Sequence, residues 1–280
     1  MTRFLVVNAD DFGRSRGVSA GIVEAHLHGL VSTTTALMNL PGSGSDVAQS
    51  ARQTPSLGMG VHLNLTLGRP LSPPQSVPTL VAPDGTFWPP DALAARSAGI
   101  DLDEVQREWR AQVEALLACG ATLDHLDSHH HVAVFTPDWW TLMLDLSAEF
   151  GCGVRPPAPA EVTDDILFSR FPAAARRFAT SEAAAIAQKR GIRTADRLVT
   201  RFFGPAVRLS TLVSILEGLP DGTTELMCHP GRLDHALASE SGYALEREAE
   251  LSILTSAQAR SAAERAGIRL TTYRRLATVP

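Results

Sequence analysis

Short apolar runs that break off into acids or histidines recur from one end of this 280-residue chain to the other, separated by stretches of helical periodicity. A buried run too short for a helix reads as a strand. Strands that alternate with helices pair in parallel, because each crossover returns the chain to the same edge of the sheet. Arg3–Asn8 is the first such run. A helix follows, with Ser15 as its cap, Val18, Ile22 and Ala25 on one stripe, and Gly29 closing it in the left-handed conformation. Thr33–Leu40 reads as a second strand. From Met59 to Leu67 apolar residues alternate with Gly60, His62, Asn64 and Thr66, so His62 and Asn64 share the polar face of a third.

Further strands are expected over Leu123–Asp127, around Val154, near Leu198 and over Thr224–Cys228. Helices are expected from Asp101, with Glu104 in a capping-box position and Val105, Trp109, Val113 and Leu116 on one stripe, and from Pro137, capped by Thr136 and ended by Gly151. Others are expected over Pro172–Lys189, Leu209–Glu217 and Ala244–Ala266. Gly68–Gly99 carries seven prolines and no sustained period, an excursion of the kind that forms substrate lids. No repeat or shift of composition divides the chain, so residues 1–280 are expected to form one domain. The alternation alone does not separate an open sheet from a barrel.

Composition narrows the function classes. Apolar residues make up 44% and charged residues 20%, enough for a sizeable core and incompatible with general disorder. Lys and Arg number 25 against 30 for Asp and Glu, with no basic run, which argues against a nucleic-acid partner. No stretch approaches the roughly 18 apolar residues of a membrane span, and Phe4–Val7 is too short for a signal-peptide core, so a cytoplasmic protein without a membrane anchor is expected. Cys119, Cys152 and Cys228 form no Cys-x-x-Cys pair and support neither a disulfide framework nor a thiolate metal site. Homo-oligomerisation is left open.

Four polar clusters fall at or near the ends of expected strands: Asn8-Ala9-Asp10-Asp11-Phe12-Gly13, Gly60-Val61-His62-Leu63-Asn64, Asp127-Ser128-His129-His130-His131 and Met227-Cys228-His229-Pro230-Gly231. In parallel α/β folds that edge of the sheet gathers ligands, so clusters distant in sequence can converge there. Adjacent carboxylates repel unless a cation or shared proton lowers the cost, which makes Asp10-Asp11 suggestive of a metal. Taken singly, each cluster has a plainer reading: an acid as a helix cap, a strand histidine held by hydrogen bonds, a solvated histidine loop. Together they supply one acid and two histidines for a metal, and a second acid and histidine for proton transfer, an inventory that fits metal-assisted hydrolysis. In an extended backbone His129 and His131 face one way and His130 the other; spacing does not say which of them ligates.

These four motifs, with the Arg247–Ser256 segment ending in Ile-Leu-Thr-Ser, resemble the YdjC-like family of carbohydrate deacetylases, whose best-known activity is chitooligosaccharide deacetylation. The resemblance implies an α/β fold, a distorted (β/α) barrel of mainly parallel strands with its active site at their C-terminal ends. It further implies a divalent-metal-dependent hydrolase that removes the N-acetyl group from an amino sugar. The family pattern makes Asp11, His62 and His129 the ligands of one divalent ion. By similarity to metal-dependent polysaccharide deacetylases, Asp10 is the general base, His229 the acid that protonates the leaving amine, and Arg155 a substrate contact. Two imidazoles and a carboxylate favour zinc, while open positions filled by water keep magnesium admissible. The expected substrate is a neutral N-acetylated sugar, with Phe87, Trp88, Trp139 and Trp140 available to stack on its rings. A hydrolase of phosphoesters or esters is disfavoured by the lack of a Gly-rich phosphate cradle. A non-catalytic sugar- or metal-binding protein is disfavoured because metal binding alone needs neither Asp10 nor His229.

Overall fold

The first apolar run extends through the acids that follow it, so β1 (Arg3–Phe12) carries Asp10 and Asp11 inside its own last turn of pleat. α1 (Arg16–His28), β2 (Thr33–Ala36), α2 (Ser43–Gln53) and β3 (Gly58–Leu63) complete the first third of the chain in a computed structural model that describes residues 2–160 and 171–276. α3 (Pro90–Arg96), α4 (Leu102–Ala118), β4 (Leu123–Ser128), α5 (Pro137–Phe150) and β5 (Gly153–Val154) follow. Then come α6 (Ala173–Ser181), α7 (Ala183–Lys189), β6 (Arg197–Val199), α8 (Leu209–Glu217), β7 (Gly222–Cys228), α9 (His235–Glu240), α10 (Leu245–Leu254), α11 (Ala257–Arg265) and β8 (Ile268–Leu270).

Every strand pairing is parallel, in the order β5-β4-β3-β2-β1-β7-β6, which is the cyclic order of a barrel opened between β5 and β6. β8 pairs with Arg3–Leu5 of β1, beside the half that β2 leaves free. The sheet curls far enough that Arg155, just past β5, reaches Glu225 on β7 at 2.8 Å and Asp10 on β1 at 2.6 Å. The fold is thus the distorted α/β barrel that the resemblance implies. Every strand starts at one end and finishes at the other, so all the C-terminal strand ends share one rim.

Local chemistry explains most boundaries. Ser15 caps α1 by accepting from Val18 N, Thr136 caps α5 by accepting from Trp139 N with Pro137 at its first position, and the α4 stripe Val105, Trp109, Val113 and Leu116 is fully buried. Gly29 departs from expectation. Its φ is −135°, not left-handed, and the glycine is needed because a Cβ would lie 2.6 Å from the Leu254 carbonyl oxygen. The third strand stops at Leu63, and Asn64 turns the chain by accepting from Thr66 N and Leu67 N at 2.9 and 3.1 Å. The helix expected over Pro172–Lys189 is two helices that meet at Glu182, and α2, α3, α9 and β8 have no counterpart in the sequence reading.

The proline-rich excursion packs as a wall, and its Pro89 and Pro90 reach the cleft at the C-terminal strand ends. Its own Val77, Leu80, Phe87 and Leu93 are buried. Two acids of α4 anchor it: Glu104 accepts from Thr79 N at 2.8 Å, and Glu108 accepts from Leu71 N and Ser72 N at 3.0 and 2.9 Å. Glu104 therefore serves the excursion and closes no capping box. Among the described residues no helix is long and apolar enough to cross a membrane.

Candidate active site

Side chains on a strand alternate between faces, so adjacent acids normally diverge. Asp11 breaks that rule with a φ of 74°, a left-handed conformation that aspartate tolerates better than most residues, and both carboxylates line one cleft. Gly13, at φ 82°, completes the turn where a Cβ would meet Ser43 Oγ at 2.2 Å.

On β3, His62 directs Nδ1 at Asp127 Oδ1, 2.6 Å away, which leaves Nε2 3.4 Å from Asp11 Oδ1. After β4 the chain leaves the extended conformation at once. His130 and His131 have φ of 53° and 54°, so the alternation that would pair His129 with His131 does not operate. His129 Nδ1 lies 3.2 Å from Asp11 Oδ1. His130 bonds Thr66 Oγ1 through Nδ1 at 2.9 Å and stacks on His129 at 3.9 Å between ring centroids, while His131 lies against Phe171.

Asp11, His62 and His129 each offer a ligand atom within 4.8 Å of the others, and Asp11 Oδ1 is a buried acceptor without a hydrogen-bond partner. An orphaned carboxylate oxygen facing two imidazole nitrogens suits a divalent cation, and Asp127 behind His62 is the kind of carboxylate that orients a ligating imidazole. Burial pushes His62 down, but Asp127, Asp10 and Asp11 outweigh it and raise it to about 9, so positive charge is favoured at this spot. Asp10, His62 and Asp127 also lie within 4.8 Å. That trio is a poorer cation site, because Arg155 already bonds both carboxylates.

Asp10 is held apart for another task. Its two oxygens accept from Arg155 Nη1 and Nη2 at 2.8 and 2.6 Å, and Asn8 Nδ2 donates to Oδ1 at 2.8 Å. Burial opposes ionisation, but the Arg155 guanidinium overcomes it and holds Asp10 well below the usual carboxylate range. His229, beyond β7, places Nε2 3.9 Å from Asp10 Oδ2. Burial pushes its imidazole down to about 4 against the pull of Asp10, so it rests neutral at pH 7. Its backbone N–H donates to Glu250, which also accepts from the Tyr243 hydroxyl. Tyr243 and Phe203 stack at 4.4 Å and turn their edges to His229.

The cleft, about 440 Å³, thus gathers Asp10, Asp11, His62, His129 and His229 on one rim. Arg155 lies elsewhere. It is 3% exposed and engaged by Asp10, Asp127 and Glu225, so the expected substrate contact is instead an internal brace. The expected stacking rings are also misplaced: Phe87, Trp139 and Trp140 are buried in the core, and Trp88 is covered by Arg96. Among the described residues, Phe203 and Tyr243 are the phenyl and phenol rings that line the cleft. Sequence reasoning assigned no role to Arg247, whose Nη2 donates to Asp11 Oδ2, or to Glu250. The available signal was charge on an apolar stripe: Arg247, Glu250, Leu251 and Leu254 are the buried positions of α10.

The family model described as YdjC-like protein matches residues 4–265. The chain is similar to a carbohydrate deacetylase of Enterococcus faecalis (strain ATCC 700802 / V583), 33% identical over 278 residues and 98% of each chain. It is similar as well to a chitooligosaccharide deacetylase of Proteus mirabilis (strain HI4320), 33% identical over 99% of this chain and 100% of that one. A crystal structure of a protein from Enterococcus faecalis V583 superposes with a TM-score of 0.85 at 32% identity, covering 98% of both chains.

Proposed function

Because this chain belongs to the YdjC-like family, we propose that it removes the acetyl group from an N-acetylated amino sugar or short N-acetylated oligosaccharide, using one divalent metal ion held by Asp11, His62 and His129. The observation that carries this reading is the pairing, in one cleft, of an orphaned Asp11 oxygen facing two imidazoles with a separate acid and histidine, Asp10 and His229. A divalent ion at the first set supplies Lewis acidity, which polarises an amide carbonyl and makes water more acidic. Ligand softness favours zinc over magnesium.

The chain's own residues divide the proton work. Asp10, ionised and fixed by Arg155 and Asn8, accepts the proton of the water that adds to the acetyl carbon. His229, neutral at rest and facing Asp10 from the β7 side, takes up the proton that Asp10 drew from the water and passes it to the sugar nitrogen as its bond to carbon breaks, so that a neutral amine and acetic acid leave and the acid then ionises in water. Phe203 and Tyr243 offer an apolar wall beside His229 for the face of a sugar ring. The decisive measurement is acetate release across a panel of N-acetylated sugars, with metal supplied and with metal chelated. Release from amino sugars that disappears on chelation is expected. Turnover of phosphoesters or simple aryl esters alone would overturn the proposal.

A further inference from the structure

Three buried polar atoms of the cleft residues have no hydrogen-bond partner: Asp11 Oδ1, His229 Nδ1 and Arg247 Nη1. A cation beside Asp11 accounts for the first. It does not account for Arg247, which repels a cation. Arg247 is 5% exposed, donates through Nη2 to Asp11 Oδ2 and through Nε to the Tyr243 carbonyl at 3.1 Å, and keeps Nη1 unused. A residue needed only to hold Asp11 requires one donor; a guanidinium brings a second in a rigid fork.

We propose that Arg247 Nη1 binds the acyl oxygen, first the carbonyl oxygen of the acetyl group and then a carboxylate oxygen of released acetate. The inference rests on the deacetylase reading above. An unpaired, charged, buried donor calls for an acceptor that is small and carries or develops negative charge. Arg247 lines the cleft bonded on one side to Asp11 Oδ2 and on the other to the carbonyl of Tyr243, whose ring lies 5.7 Å from that of His229, so the guanidinium sits beside both the metal-ligand set and the acid–base pair. The reacting carbonyl must lie between those same groups. As water adds, negative charge grows on that oxygen, and a donor whose guanidinium is held by Asp11 and the Tyr243 carbonyl is suited to stabilise it.

Arg247→Lys separates the two duties, since lysine keeps a charge able to pair with Asp11 but has only one nitrogen. The probe is acetate, used as a product inhibitor and as a direct calorimetric titrant of metal-loaded protein, with metal content and melting temperature followed in parallel. The variant is expected to keep its metal and its fold, to bind acetate at least about tenfold more weakly, and to lose about 10²–10³ in kcat with KM changed far less. If Arg247→Lys loses metal, Arg247→Gln at saturating metal is measured by the same criteria. Acetate affinity and kcat within about twofold of wild type in the metal-loaded variant would show that Arg247 only holds Asp11. Absence of acetate release by the wild-type protein from every N-acetylated sugar would overturn the deacetylase reading and this inference with it.

Discussion

Asp10 and Asp11 are neighbours in sequence with unlike surroundings. Arg155, 145 residues away, and Arg247, 236 residues away, set the difference. That both acids matter is legible from the motif, because paired carboxylates need compensation; their division of labour is not, because it depends on cations supplied from distant elements. In Asp10→Asn an amide NH₂ faces donors of Arg155 and Asn8 where an acceptor stood. Turnover should fall about 10²–10⁴-fold with KM changed far less, metal content should persist because Asp11, His62 and His129 are untouched, and stability should drop by up to about 3–5 kcal/mol. Kinetics, metal analysis and thermal melting on that one variant check all three, and a fully active enzyme would remove Asp10 as the base. His129→Ala should reduce bound metal well below one ion per chain; unchanged occupancy would transfer the ligand role to His130 or His131. No spacing rule distinguishes those three histidines, since two of them adopt left-handed φ immediately after the strand.

At the scale of elements, caps and stripes were the readable part. Ser15, Thr136 with Pro137, and the apolar face of α4 act through contacts within a few residues, so local pattern suffices to find them. The end of β3 and the excursion were not readable, because buried polar side chains of α4 decide them. Gln112 accepts from Asn64 N and donates to its carbonyl, both at 2.8 Å, and donates to Glu108 at 2.9 Å. α4 therefore holds the turn that carries Thr66, and Thr66 holds His130 against His129. Glu108→Ala should leave two buried donors, Ser72 N and Gln112 Nε2, and the part-buried Leu71 N without their acceptor, at about 1 kcal/mol or more for each buried one, so a loss of about 2–3 kcal/mol is expected. Limited proteolysis should then cut between residues 68 and 90 while metal binding survives. Resistance equal to wild type would show that the apolar contacts of Val77, Leu80, Phe87 and Leu93 hold the wall unaided.

For the whole molecule, the open side of the barrel between β5 and β6 is spanned by Arg155 on Glu225 of β7, which in turn accepts from Tyr273, and by backbone bonds from Val154 N to the Arg193 carbonyl and from Ala160 N to the Leu198 carbonyl of β6. Strand periodicity carries no trace of that bridge, which is why alternation alone left open sheet and barrel undistinguished. The same packing couples the fold to pH at Glu250, buried beside His229, Tyr243 and Arg247 on the rim. Burial pushes its carboxyl from 4.5 up to about 8 despite the hydrogen bonds it accepts. Between those values the folded chain holds a proton that the unfolded chain has released, so this group makes stability fall as pH rises through that window. His229 acts oppositely: its native value near 4 lies below its ordinary 6.5, so stability gains as pH rises between them. The two offset each other between about pH 4.5 and 6.5 and leave a net fall from about 6.5 to 8. Glu250→Gln keeps an oxygen for the His229 N–H and an NH₂ for the Tyr243 oxygen but carries no proton to lose. Its stability relative to wild type should therefore climb steadily from about pH 5 to pH 8, by on the order of a few kcal/mol over that range, with the melting temperature rising relative to wild type in step. Thermal melts at unit pH intervals test this directly. A difference that stays constant with pH would mean that Glu250 ionises as an ordinary carboxylate in the folded protein, and the alkaline loss of stability would then need another source.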